Sequence, residues 1–251
     1  MRVSFIGEIM KHEGEVFKTK NYGDLVITKY VSFLEVHVRF INTGFTTTTQ
    51  LGSIKSGQVK DKMLPTVHGV GVLGDEQTKV DGKTLKEYEL WCSMLKRCYS
   101  IKYHTDFPTY AGCTVSENFK YFPYFKEWCN KQIGFDQEGW QLDKDILMKG
   151  NKIYSEDTCC FVPREVNTVV KKKYGTNVET YARKPSNRPS AILGIKGKSV
   201  RLGTYDTQEE AFQAYKQAKE AYIKEVANKW KGRIDLRVYE ALMKYQVEIT
   251  D

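Results

Sequence analysis

The sequence predicts a mixed α+β protein: a small N-terminal β-rich domain, a central helical domain, and a C-terminal segment of strands followed by a helix. Three patterns predict this class. β-Branched and aromatic runs lie near the N-terminus, apolar residues recur at helical spacing in the middle, and short apolar runs separated by glycines precede a long amphipathic pattern near the C-terminus. Because 251 residues exceed one typical domain, we expect several small domains.

Composition predicts a folded protein that stays inside the cell. With 41% hydrophobic and 13% aromatic residues, the chain can build real cores. The N-terminus lacks the apolar run of a signal peptide, and no stretch approaches the ~20 apolar residues of a membrane span. We therefore expect a cytoplasmic protein with no membrane partner. The six cysteines form no Cys-x-x-Cys pair, so their spacing does not support zinc.

Residues 1–75 are predicted to form a β-rich accessory domain. Leu25–Thr28 and Val36–Ile41 are rich in residues that favour strands, and turn residues follow each run. In the second run His37 alternates with apolar residues, so we expect it on the exposed face rather than among metal ligands.

Two helices are predicted next, at the start of a central domain that covers residues 84–172. Thr84 and Glu87 have the spacing of a capping box at the first helix. The apolar stripe of this helix, which we expect to be core, is Tyr88, Trp91, Leu95 and Cys98. The second helix is expected to carry Phe119, Phe122, Phe125 and Trp128.

A strand, a turn, a second strand and a helix are predicted between residues 140 and 170. Apolar and polar residues alternate from Trp140 to Ile146, the period of a half-buried strand. Asp143 and Asp145 are therefore expected on one face, about 7 Å apart. Turn chemistry follows at Lys149–Lys152, then a second apolar run and Pro163, which suits the first turn of a helix.

This ββα unit carries oxygen ligands that hard divalent cations prefer. The candidate metal ligands are Asp143, Asp145 and Asn167. The alternative is that the two aspartates form a solvated face paired with neighbouring lysines, namely Lys144, Lys149 or Lys152.

The motifs of this unit resemble the HNH-type (His-Asn-His) endonuclease module of phage and mobile-element proteins. They are Leu-Asp-Lys-Asp-Ile from Leu142, Gly-Asn-Lys-x-Tyr-Ser from Gly150, Thr-Cys-x-Phe-Val-Pro from Thr158, and the following Asn167. The resemblance covers about residues 85–170. It implies a hairpin and helix that grip one divalent ion, Mg²⁺ or Mn²⁺, a histidine that activates water, and an asparagine that orients this histidine.

The chain departs from that pattern at the general base. None of its four histidines lies in the hairpin or its helix; they are His12, His37, His68 and His104. Either Asp145 or the upstream His104 takes the role of the base, or the unit binds DNA without cutting it. Asn151 is expected to anchor the hairpin turn or to orient the phosphate.

The positive charge is concentrated in one stretch. Between residues 168 and 204 there are nine basic residues and one acid, Glu179, which accounts for the whole net charge of +8. Such a stretch indicates a protein that binds the phosphate backbone. We expect residues 173–190 to be a basic linker. The basic residues are Lys171, Lys172, Lys173, Arg183, Lys184, Arg188, Lys196, Lys198 and Arg201.

The last segment, residues 191–251, is predicted to form short strands and a helix that begins with a capping box at Thr207 and Glu210. Residues 200–215 resemble the Apetala, or ethylene-response-factor, type of DNA-binding domain. That resemblance implies a three-stranded sheet that lies in the major groove and a helix that packs on its back. The candidate residues for DNA contact come from this segment and from the basic stretch before it: Lys171, Lys172, Lys173, Lys184, Arg188, Lys196, Lys198 and Arg201.

A final amphipathic helix over Ile234–Tyr245 is expected either to cap this domain or to mediate self-association or a protein partnership. Together the two resemblances imply a sequence-directed DNA endonuclease of the homing or phage type, which acts on double-stranded DNA in the host cell. Two alternatives stay open. One is a non-catalytic DNA-binding regulator with a degenerate HNH scaffold, and the other is a phage protein that binds a host enzyme.

Overall fold

Helices and strands are mixed throughout the protein, which confirms the predicted α+β class. The structure is a computed structural model and describes residues 12–170, 178–179 and 188–249. None of the helices within these ranges is long and apolar enough to cross a membrane.

The chain divides into two compact units. The first comprises Met1–Ala111 and Glu117–Lys126, and the second comprises Gly112–Ser116 and Glu127–Asp251. Each unit therefore contains two segments of the chain. Most of the stretch 173–190, predicted as a linker, lies outside the described residues.

A four-stranded antiparallel sheet forms the first part of unit 1. One face of this sheet and Ile54 of helix α1 (Leu51–Lys55) enclose a small hydrophobic core. Alternate residues of the central strands are buried, as the period-2 pattern predicts. His37 lies on the other face, partly exposed. In sheet order the strands are β1 (Val16–Lys18), β2 (Asp24–Ser32), β3 (Glu35–Phe40) and β4 (Thr46–Thr49).

Helix α2 spans Lys86–Tyr99, and the predicted capping box of Thr84 and Glu87 is wrong, because the N-cap position is Leu85 and no side chain caps the helix. The turn residues Asp81 and Gly82 have φ values of 50° and 76°. Asp-Gly with two positive φ values favours a tight hairpin, which holds Thr84 in a strand. The two strands are β5 (Lys79–Val80) and β6 (Lys83–Thr84).

The predicted stripe of α2 forms core. Trp91, Leu95 and Cys98 are buried, and Trp91 Nε1 donates a 2.7 Å hydrogen bond to the carbonyl oxygen of Phe119. The remaining helical segments of this part of the chain are α3 (Ile101–Asp106), two 3₁₀ turns (Pro108–Tyr110 and Asn118–Lys120) and α4 (Phe122–Asn130).

A two-stranded antiparallel sheet and a helix form the centre of unit 2. Strand β8 (Trp140–Asp143) pairs with β10 (Cys160–Pro163), and helix α5 (Arg164–Val170) follows directly. The connection between the strands is a 16-residue loop rather than a tight turn. Within it, β9 (Ile153–Tyr154) pairs in parallel with β7 (Thr114–Val115).

Three antiparallel strands and two helices complete unit 2. The hydroxyl of Thr207 and the carboxylate of Glu210 form a capping box at the start of helix α6 (Gln208–Trp230). This capping box was predicted and is confirmed. Strands β12 and β13 form a hairpin, and the helix packs on this sheet. The elements are β11 (Val178–Glu179), β12 (Ser190–Ile195), β13 (Lys198–Thr204), α6 (Gln208–Trp230) and α7 (Leu236–Met243).

One continuous hydrophobic core runs through unit 2. It contains Val162 of β10 and Val166 of α5 together with Leu193 of β12 and Ile223 of α6, all with 2% exposure or less. The ββα segment and the C-terminal sheet therefore share part of their apolar burial.

Glu165 adds a polar link across that core. Its carboxylate accepts hydrogen bonds from Lys229 Nζ at 2.5 Å and from Trp230 Nε1 at 2.9 Å, which ties α5 to the end of α6. The hydrogen bond from Lys229 holds the pKa of Glu165 below its ordinary value. The Trp230 ring also meets the Trp140 ring edge-on, with centroids 5.9 Å apart.

We expect Glu165→Gln to lower the free energy of unfolding by about 1 kcal/mol at neutral pH, since it removes a half-shielded ion pair. A carboxyl whose pKa is depressed in the folded state stabilises above its unfolded pKa, and this contribution is lost as pH falls. The deficit should therefore shrink as the pH falls below about 4. Urea unfolding followed by tryptophan fluorescence at pH 7 and pH 3.5 measures both values.

Glu225→Gln is the matched control, because Glu225 is an exposed acid on α6, the helix that carries Lys229. It should change stability little at either pH. An equal loss at both pH values for Glu165→Gln would contradict the assigned ion pair.

Candidate metal site and nucleic-acid interface

Asp143 ends strand β8 and turns the chain out of it. Its Oδ1 accepts hydrogen bonds from the backbone N–H groups of Asp145 and Ile146, each at 2.8 Å. The prediction that one strand carries both aspartates is therefore wrong, because the Asp143 carboxylate satisfies the next N–H groups and replaces the ladder bonds. Burial raises the pKa of Asp143, although these two N–H groups act in the opposite direction.

Lys144 is buried beneath the loop that follows. Its side chain is 8% exposed, and Nζ donates to the carbonyl oxygen of Asn151 at 2.5 Å and to Asp145 Oδ1 at 2.7 Å. Nζ also lies 5.7 Å from the centre of the Tyr154 ring. Asp145 itself stays half exposed, with one oxygen committed to this lysine. Of the lysines considered as partners of the aspartates, Lys149 instead lies 3.3 Å from Glu248.

Asn151 holds the loop closed from the inside. Its Nδ2 donates to the carbonyl oxygens of Lys144 at 2.9 Å and Ile153 at 2.6 Å, while its Oδ1 accepts from the Ile153 N–H at 3.1 Å. Lys144 and Asn151 thus exchange side-chain and backbone bonds in both directions. Both polar atoms of the Asn151 side-chain amide are hydrogen-bonded within the loop, so Asn151 anchors the loop.

Asn167 on α5 has an oxygen without a partner. Its Nδ2 donates to Gln141 Oε1 at 2.7 Å, and its Oδ1 is buried with no hydrogen bond. Buried acceptors are nearly always satisfied, so this atom indicates a missing donor or cation. Gln141 and Asp143 are two residues apart on β8 and therefore share a face, about 7 Å apart. Helix α5 packs against that strand.

Asp143 and Asn167 offer the types of oxygen atom that a hard divalent cation binds. Asp143 has a second carboxylate oxygen, and Asn167 has an unsatisfied amide oxygen, which are the ligand types that Mg²⁺ and Mn²⁺ take. The third candidate ligand, Asp145, is half exposed and paired with Lys144. Within the described ranges no group of three or more His, Cys, Asp or Glu side chains could hold a metal.

Two cysteines lie beside this site as protonated thiols. Burial raises the pKa of Cys159 to about 12 and also raises that of Cys160, and the charge of Asp143 acts in the same direction on both.

His104, the second candidate for the general base, belongs to unit 1. Its Nε2 lies 2.8 Å from the carbonyl oxygen of Arg97. Because a carbonyl oxygen can only accept, Nε2 carries the proton, and Nδ1 of the neutral ring is the acceptor.

The hairpin of β12 and β13 carries three basic residues, and we call it the basic hairpin: Lys196, Lys198 and Arg201. Because side chains alternate along a strand, Lys198 and Arg201 lie on opposite faces of β13. Lys196 and Gly197 form the two-residue turn, with φ values of 49° and 80°. All three basic side chains belong to exposed residues. Arg201 Nη2 donates to Ser190 Oγ at 3.3 Å and Thr204 Oγ1 at 2.5 Å, so hydroxyls orient this guanidinium without neutralising it.

The other candidate DNA contacts are Arg188 and four lysines. Arg188 is exposed and forms an ion pair with Asp206. Four lysines lie outside the described residues: Lys171, Lys172, Lys173 and Lys184.

Sequence reasoning did not identify Gln141, Glu165 or the inward role of Lys144. The alternation that places Lys144 with Trp140 and Leu142 was a usable signal for burial. Gln141 and Glu165 are recognised only by their tertiary partners, Asn167 and Trp230.

Comparison with known proteins provides no relative for this chain. No family model matches it, and neither the curated proteins nor the solved structures contain a significant match.

We expect Asn151→Ala to destabilise the protein by about 2–3 kcal/mol, because it leaves buried carbonyl and N–H groups of the loop without partners. Thermal unfolding followed by circular dichroism measures the change. Asp157→Ala, an exposed change in the same loop, serves as the control and should leave the transition nearly unmoved. Similar melting of the two variants would show that the Asn151 amide does not hold the loop.

Proposed function

We propose that this protein binds double-stranded DNA through the basic hairpin and is a DNA endonuclease of the HNH type. The observation that carries DNA binding is the set of exposed basic residues on the turn and on β13, namely Lys196, Lys198 and Arg201. Because its target is DNA, we further propose that it acts in the cytoplasm of the host cell.

The major groove is wide enough for a two-stranded β-ribbon, and the positive charge of the hairpin would attract the phosphates beside the groove. The lysines at its tip can neutralise phosphates, and these contacts supply affinity rather than sequence selection. Arg201 is the candidate for base recognition. A guanidinium held by two hydroxyls keeps donors for guanine O6 and N7, which arginine contacts most often.

Packing behind the sheet supports the Apetala-type arrangement as part of this proposal. Ala191 on β12 and Ala211 on α6 are both fully buried, and small side chains allow a helix to lie close to a sheet. The opposite face of the sheet then remains available for DNA. The amphipathic α7 contributes Val238 and Leu242 to the same core, which favours its role as a cap of this domain.

The proposed cleavage activity depends on the site of Asp143 and Asn167. These residues would hold one Mg²⁺ or Mn²⁺ ion, and Asp145 would be a further ligand or the substitute base. When bound, the ion would polarise the phosphodiester and stabilise the leaving oxygen. The unpartnered Asn167 Oδ1 is the observation that supports a cation here.

A DNA-binding regulator without nuclease activity is the second candidate. The bond between Lys144 and Asp145 favours it, because a carboxylate that is already paired with a buried ammonium is a poor base and a poor ligand. This candidate shares the DNA contacts of the first and differs only in the absence of cleavage.

We expect the double variant Lys196→Gln/Lys198→Gln to bind duplex DNA more weakly and with a reduced salt dependence. Each phosphate contact that is lost should lower the slope of log K against log salt by about 1, hence by about 2 for the pair. Fluorescence anisotropy with a labelled random-sequence duplex at 50–200 mM salt measures the slope.

The control carries the same change of charge elsewhere: Lys224→Gln/Lys244→Gln, at two exposed positions on and after the helices behind the sheet. It should retain the wild-type slope. Equal loss in both double variants would mean that net charge, and not the hairpin, determines binding.

For cleavage the informative variant is Asp143→Asn. Asparagine keeps an oxygen that can accept the two backbone N–H bonds but removes the negative charge. We expect it to lose nicking of supercoiled DNA in Mg²⁺ or Mn²⁺ while its affinity for duplex DNA stays near that of the wild type.

A chelator should abolish wild-type nicking in the same assay. If the variant cuts as well as the wild type, Asp143 is not a ligand of the active ion. If the wild type binds DNA but cuts with neither ion, the regulator is the correct function.

A further inference from the structure

An aromatic cluster lies on unit 1, well separated in sequence from the basic hairpin. We call it the aromatic platform, and its rings are Tyr103, Phe107 and Tyr110. The Tyr103 and Phe107 ring centres are 4.7 Å apart with planes 30° from parallel, and those of Tyr103 and Tyr110 are 5.7 Å apart. Tyr103 and Tyr110 are partly exposed, and Phe107 is exposed.

The platform leaves apolar surface open to solvent. Phe107 is 48% exposed although its ring contacts that of Tyr103. Burial of the exposed part of this ring against a flat partner would be favourable.

Cations surround the rings. Lys96 Nζ lies 5.4 Å from the centre of the Tyr103 ring, and the Arg97 guanidinium lies 5.8 Å from the centre of the Tyr110 ring. Lys102 is exposed on the same short helix. Between residues 96 and 110 the sequence contains these three basic residues and one acidic residue, Asp106. The partner is therefore expected to carry negative charge as well as a flat apolar surface.

Local hydrogen bonds hold the platform in place. Ser100 Oγ caps α3 by accepting from the Tyr103 N–H at 3.3 Å, and the Phe107 N–H donates to the Tyr103 carbonyl at 2.9 Å. The Tyr110 N–H then donates to the Phe107 carbonyl at 3.1 Å. A rigid set of rings loses little conformational entropy when a ligand stacks on it.

We propose that the aromatic platform binds single-stranded DNA by stacking an unpaired base on Phe107 while Lys96 and Lys102 contact the flanking phosphates. Aromatic faces together with a positive surface are the combination by which proteins hold single strands without base selection. The choice of DNA over RNA rests on the proposed function, whereas the stacking site itself does not.

The test is the affinity of the full chain for a labelled oligo(dT) of about 12 nucleotides, measured by anisotropy. We expect Phe107→Ala to weaken binding about tenfold, and Phe107→Trp, which keeps a stacking face, to bind within about twofold of the wild type. Ile133→Ala is the control, since Ile133 is 55% exposed outside the platform, and it should bind like the wild type.

Unchanged binding by Phe107→Ala, or an equal loss in Phe107→Ala and Phe107→Trp, would overturn the proposal. Tighter binding of oligo(U) than of oligo(dT) would overturn the choice of DNA. The Lys196→Gln/Lys198→Gln variant separates this site from the proposed function, because it should lose duplex binding and keep oligo(dT) binding. If the Lys196→Gln/Lys198→Gln variant loses oligo(dT) binding while Phe107→Ala keeps it, the single strand binds at the basic hairpin and not at the aromatic platform.

Discussion

The burial of Val162 and Val166 in the same core as Leu193 and Ile223 is the constraint on which unit 2 depends. Both the ββα segment and the C-terminal sheet contribute buried residues to this core, so each covers apolar surface of the other. Any ion held by α5 and any DNA held by the basic hairpin would consequently be fixed relative to each other. A nuclease of this design would cut at a set distance from the bases that it recognises.

The same constraint explains the polar chemistry around Asp143. Once β8 and β10 are fixed by the core, the loop between them must turn over the buried strand ends, and its backbone groups need internal partners. The side chains of Asp143, Lys144 and Asn151 provide those partners. The loop therefore uses much of the hydrogen-bonding capacity that the motif would otherwise offer to a substrate. Asn167 Oδ1 is the atom on this side that stays unsatisfied.

Local patterns predicted the fold where one short-range interaction decided the structure. The capping box of Thr207 and Glu210 forms because both partners lie within a single helical turn. Prediction failed at Thr84, because the Asp-Gly turn forms a two-stranded hairpin that includes Thr84, and this hairpin replaces the predicted cap. It failed again at Asp145, because periodicity carries no information about a carboxylate that ends its own strand.

The sequence by itself determined the α+β class, the buried stripes of the helices and the concentration of positive charge, since each depends on residue type and spacing alone. The tertiary structure decided which polar atoms are free. Gln141 meets Asn167 across 26 positions of sequence, and Glu165 meets Trp230 across 65. Such pairings follow from how the core assembles, and short-range periodicity cannot specify contacts between segments that far apart in the chain.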